Sequence, residues 1–124
     1  MGNFDLESGK RLIAEGDLVE GLRCLLASID QDPGDPAAYV ELWKAYEAAW
    51  HESGDPLVLD QMRKVAVAGL KRGPDPLQER FLRDALDRSD ALLAAVQQAE
   101  QEAEQQAEQE ESRRTRLPVI RNDD

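Results

Sequence analysis

The chain reads as all-α: two antiparallel helix pairs followed by one long C-terminal helix and an irregular tail. Three features predict this. Asp35-Pro36, Asp55-Pro56 and Asp75-Pro76 recur every 20 residues. Each suits a helix start, with the acid at the N-cap and the proline at N1, where its missing N–H costs nothing. Apolar residues up to Val96 recur at helical spacing. Beyond them, residues 97–111 contain six Gln, six Glu and three Ala, with no larger apolar side chain; these are good helix formers with nothing to bury. The expected helices span 3–15, 18–31, 36–52, 56–72 and 76 to about 110.

In chain order, Asn3 or Asp5 caps the first helix, which carries Phe4, Leu12 and Ile13 as apolar positions. Gly16 ends it, because glycine adopts the left-handed C′ conformation without penalty. Asp17 caps the second helix at once, with Glu20 at capping-box spacing. Leu18, Leu22, Leu25, Leu26 and Ile29 form its stripe. So short a turn makes the two helices antiparallel, and Gly21 and Ser28 are small enough to let them pack closely. The third helix holds Tyr39, Leu42, Trp43, Tyr46 and Trp50 and ends at Ser53-Gly54. The fourth offers Leu57, Leu59, Met62, Val65, Ala66, Gly69 and Leu70 before Gly73. Phe81, Leu82, Ala85, Leu86, Ser89, Leu92, Leu93 and Val96 give the fifth helix an inner stripe. Arg80, Arg83, Asp84, Asp87, Arg88 and Asp90 give it a polar outer face of the kind a terminal repeat helix needs.

These spacings resemble the tetratricopeptide repeat, a helix–turn–helix unit reading W-x2-L-G-x2-Y, then A-x3-F, then P. Gly9, Leu12, Gly21-x3-Leu25 and Pro33 fall on the pattern, while Asp5 and Ser8 stand where it has Trp and Leu. Tyr39-x2-Leu42-Trp43-x2-Tyr46 begins a second, modified copy, ending at Pro74. Trp43 replaces the glycine of close helix approach, so it should push the partner helix away or turn the repeat. This copy is seven residues longer than the family period, close to two helical turns. Lengthening the Trp50 helix therefore keeps its inner face in register.

The resemblance implies a groove for a protein or peptide, lined by the first helix of each repeat. By position it takes Leu6, Lys10 and Ile13, then Val40, Lys44, Glu47 and Ala48, with Arg80 and Arg83 reaching its far end. Two lysines and two arginines there suit an acidic or C-terminal peptide through charge-assisted hydrogen bonds.

The net charge of −11 is unevenly spread: −5 over residues 1–73, −2 over 74–96, −6 over 97–111 and +2 over 112–124. An acidic body argues against nucleic acid, which needs a basic face, and against an anionic membrane surface. No apolar run is long enough to span a bilayer, and Met1–Leu6 has no signal-peptide core; the expected location is the cytoplasm. Cys24, the single cysteine, lies among leucines and reads as a small buried apolar residue. His51, the single histidine, reads as a solvated helix-end residue. No metal-ligand cluster, phosphate loop or nucleophile motif is present, so the chain is expected to be no enzyme and to need no metal or cofactor.

All six aromatic residues precede residue 82, which places the domain at 1–96. Residues 97–112 form an acidic helical extension, either a solvated spacer or a thin seam of Ala95, Ala99, Ala103 and Ala107 for self-association. Residues 113–124 form a flexible basic-apolar tail. In it Arg113, Arg114, Arg116, Leu117, Val119 and Ile120 make a candidate docking segment for a sheet edge or groove. The expected function is an adaptor or scaffold. The alternatives are a homo-oligomerising structural subunit and, by fold-level analogy, a small assembly or export chaperone.

Overall fold

The computed structural model describes the backbone of residues 4–120 and the side chains of residues 5–114. Among the described residues every regular element is an α-helix: α1 (Phe4–Ala14), α2 (Leu18–Gln31), α3 (Pro36–Ser53), α4 (Pro56–Leu70) and α5 (Pro76–Ile120). No helix among them is long and apolar enough to cross a membrane. The chain divides into two compact units, Met1–Leu93 and Ala94–Asp124.

In the first unit α1 packs on α2 and α3 on α4, with α2 joining the pairs. The turns explain the pairing. Gly16 adopts φ +89°; its N–H donates to Ile13 O at 3.0 Å while Asp17 N–H donates to Leu12 O at 2.9 Å, a Schellman end that reverses the chain within two residues. Gly54 (φ +65°) ends α3, its N–H donating to Trp50 O. Asp35 and Asp55 each accept a hydrogen bond from the backbone N–H two residues on, at 3.0 Å.

The spacing predicts a capping box at Asp17 and Glu20, but only half of it forms. Asp17 accepts from Glu20 N–H at 3.3 Å. The Schellman bond has already used the Asp17 N–H, and the Glu20 carboxylate pairs with Arg23. The reciprocal box forms at α5 instead. There Asp75 Oδ1 accepts from Gln78 N–H at 2.8 Å, and Gln78 Oε1 accepts from Asp75 N–H at 3.0 Å.

The core is built from Leu25, Ala38, Tyr39, Leu42, Trp43, Ala45, Leu59, Met62, Val65, Ala66, Leu82 and Ala85. Gly9 and Gly21 permit the α1–α2 approach: a Cβ on Gly9 would lie 2.8 Å from Leu25 Cδ2, and one on Gly21 3.2 Å from the Ile13 backbone nitrogen. Of the α2 stripe, Leu25 is fully buried, whereas Leu26 is 45% exposed. Cys24, predicted to be buried, is only partly so; it flanks the most buried line of α2, Gly21–Leu25–Ser28, and Leu26 lies on the opposite flank, further from it.

Trp43 does not wedge its own pair apart. Gly69 of α4 lies against Tyr39 of α3, where an added Cβ would be 2.9 Å from Tyr39 Cβ, and the indole of Trp43 is directed at α5. Helix α3 has 18 residues against 11 in α1, so the extra length of the second pair is taken up as two further turns of α3.

The second unit is described by its part of α5. The helix continues to Ile120, past the expected end near residue 110 and into the stretch predicted to be irregular, whose last four residues lie outside the described ones. Neither Gly nor Pro occurs between Pro76 and Pro118, and Gln, Glu, Ala and Arg all propagate a helix well. The side chains of residues 97–114 are exposed throughout.

Candidate functional site

Two neighbouring helices of the first unit form an open cleft of about 320 Å³, lined by Trp43 and Glu47 of α3 and by Phe81, Asp84, Ala85 and Arg88 of α5. On α5 these residues are spaced i, i+3, i+4 and i+7, which puts all four on one face. The same spacing on α3 sets Trp43 and Glu47 one turn apart, with Lys44 beside them.

The floor is apolar and fixed. The rings of Trp43 and Phe81 meet edge to face, with centroids 5.6 Å apart and planes at 86°, an arrangement worth about 0.5–1.5 kcal/mol beyond its buried area. Trp43 Nε1–H donates to Ser89 Oγ at 3.0 Å, and that hydroxyl donates to Ala85 O at 2.8 Å. The buried indole nitrogen is thereby satisfied and the ring cannot rotate without breaking the chain.

The rim is charged and adjustable. Lys44 Nζ lies 5.4 Å from the Phe81 ring centroid and 3.4 Å from Glu41. Arg88 Nε meets Glu47 Oε2 at 2.7 Å across the cleft. Both ion pairs are partly solvated, so each contributes ~0–1 kcal/mol, and a ligand can replace either partner at small cost. Tyr46, on the same helix, is half-buried, and burial pushes its phenol pKa up.

The remaining predicted groove residues lie elsewhere. Ile13 packs its side chain against Gly21 in the α1–α2 contact. Leu6 and Val40 are half-buried. Lys10 is exposed, 3.9 Å from Glu7. Arg80 is exposed on α5, and Arg83 lies 3.7 Å from Glu79 on the same helix. Of the predicted groove residues, Lys44 and Glu47 therefore come together; α1 does not line this cleft. Sequence reasoning missed Trp43, Phe81, Asp84 and Arg88 as site residues. The first two read as core, and Arg88 read as part of a polar outer face, yet it reaches Glu47. Asp90, read the same way, pairs with Arg63 of α4 at 2.8 Å. The i, i+7 spacing of Phe81 and Arg88 was the available signal.

Of the candidate docking segment, Arg113 and Arg114 are exposed on α5; the side chains of Arg116, Leu117, Val119 and Ile120 lie outside the described residues. His51 is exposed in the last turn of α3. Among the described residues no three His, Cys, Asp or Glu side chains gather as a metal site.

A cleft of this size and openness suits one or two side chains of a bound peptide rather than an enclosed cofactor, since small-molecule sites bury most of their ligand. No family model matches the chain, nor does any curated protein or solved structure.

Proposed function

We propose that the chain is a protein-binding adaptor, built on tetratricopeptide-like helix pairs, that docks a partner segment in the α3–α5 cleft. What carries this reading is the combination of a locked Trp43–Phe81 floor with a rim of exchangeable ion pairs. The apolar floor supplies affinity by burying a partner's apolar side chain, as anchor pockets do at protein interfaces. The rim supplies register: Lys44 and Arg88 offer donors to a carboxylate or carbonyl, and Glu47 and Asp84 offer acceptors to a cation or N–H. Such paired charges steer and select more than they add affinity. The basic-apolar segment from Arg113 to Ile120 would supply a second contact to the same assembly.

The test is affinity capture with the native chain and with a Lys44→Glu/Asp84→Lys variant, which reverses the rim, keeps the net charge and leaves the Trp43–Ser89 bond intact. Partners retained by the native chain and lost by the variant support the reading. An unchanged set of captured proteins refutes the cleft. Capture that survives deletion of residues 113–124 refutes the second contact.

A further inference from the structure

Helix α4 and the turn that ends it form a separate basic strip. A cleft of about 390 Å³ is lined by Arg63, Lys64, Val67, Ala68, Lys71 and Arg72, four cations gathered in a protein of net charge −11. The pull of a helix C-terminus on cations accounts for Lys71 and Arg72, but it does not reach Arg63 and Lys64, two turns earlier. Arg63 pairs with Asp90, and Lys64 with Asp60 at 3.1 Å. These pairs are about half-exposed, so their cations can take another carboxylate without an unpaired buried charge being left behind.

The second unit carries the complementary pattern. Glu100, Glu104 and Glu108 follow one another at i, i+4 and i+8, all exposed on α5. Ala99, Ala103 and Ala107 form the ridge beside them. None of these three glutamates has a basic residue within four positions, so each meets a like charge at i, i+4, which weakens a helix. Along α4 and the turn that ends it the two rows are Arg63–Val67–Lys71 and Lys64–Ala68–Arg72, with the same spacing in sequence and apolar residues midway. Both patterns extend about 12 Å along a helix. Alanine ridges permit close approach over Val67 and Ala68, and each end of the glutamate row then meets a cation pair.

We infer that the basic strip of α4 docks the Glu100–Glu108 face of a second copy of this chain. Each copy supplies both surfaces, so two chains that exchange their acidic runs make the contact twice, and the proposed assembly is a dimer. The α3–α5 cleft contributes no residue to this contact, and the two readings stand or fall separately.

Sedimentation velocity on the full chain tests it. At about 0.01 M salt, where the Debye length is ~30 Å, the native chain should be dimeric, and near 1 M, where it is ~3 Å, monomeric. Lys64→Glu/Lys71→Glu changes exposed residues only and should raise the dimer dissociation constant by about tenfold or more. Glu100→Lys/Glu104→Lys/Glu108→Lys should do the same. In an equimolar mixture the unaltered strip of the second variant meets the unaltered glutamates of the first, so one native contact is restored and the mixture should associate more tightly at low salt than either variant alone. A native chain that stays monomeric at low salt overturns the proposal. So does a Lys64→Glu/Lys71→Glu chain that associates like the native one, or a mixture of two folded variants, checked by circular dichroism, that associates no more tightly than either variant alone.

Discussion

Replacing Ser89 with alanine tests how the floor of the α3–α5 cleft is held. Ser89 is 0% and Trp43 4% exposed, and the serine hydroxyl is the acceptor for Trp43 Nε1–H at 3.0 Å while donating to Ala85 O at 2.8 Å. In Ser89→Ala the backbone carbonyl of Ala85 keeps its helical hydrogen bond, but the indole N–H is left buried without an acceptor. That costs about 1–3 kcal/mol, a sizeable share of the ~5–15 kcal/mol that holds a domain together. In urea, with a slope of roughly 1–3 kcal/mol/M, the midpoint should fall by about 1 M. Trp43→Phe removes the donor with the ring and costs mainly packing. The double variant should then be less damaged than the sum of the single ones by about 1 kcal/mol or more, the coupling expected of residues in direct contact. The assay is urea unfolding followed by circular dichroism, since Trp43→Phe alters fluorescence. A Ser89→Ala loss below about 0.5 kcal/mol, or strict additivity in the cycle, would refute the role given to this hydrogen bond.

Gly69→Ala should lower the melting temperature. The new Cβ would meet Tyr39 Cβ at 2.9 Å and Leu82 Cδ1 at 3.0 Å, and an overpacking cost of ~1–3 kcal/mol outweighs the ~1 kcal/mol helix-propensity gain; an unchanged melting temperature would show that the helices have room to move. Asp75→Ala breaks a reciprocal capping box and Asp17→Ala a single 3.3 Å bond, so thermal unfolding should show ~1–2 kcal/mol lost at Asp75 and ~0.5 kcal/mol at Asp17. Because burial raises the Tyr46 pKa above its usual 10.0, the unfolded chain loses that proton first as pH rises. The stabilisation is complete below pH 10 and fades as pH climbs through the folded-state pKa. Alkaline melting curves should show this, and the slope should be shallower in Tyr46→Phe.

The parts of this fold legible in the chain are those set by short-range chemistry. Gly16-Asp17 and the three Asp-Pro pairs act over two to four residues, and the helices start and stop where those residues direct. The close pairing of α1 with α2 could also be read, from the short Gly16-Asp17 turn and the small Gly21 and Ser28; that Gly9 also makes room, against Leu25, came from the structure. Less was legible at the candidate site. Lys44 and Glu47 could be placed on the inner face of α3, but their partners lie on a helix some 40 residues away in the chain, and periodicity says nothing about which face of one helix meets which face of another.

Sequence alone thus determined that this chain is helical, that its helices pair and that its acidic run has no large apolar side chain to bury. Only the tertiary structure decided where the Trp43 indole goes, that Arg88 pairs with Glu47 across the cleft, and that four cations of α4 and the turn that ends it form one strip. The physical reason is range. Caps, turns and propensities are settled between near neighbours, whereas a cleft exists only once two distant faces have been packed together.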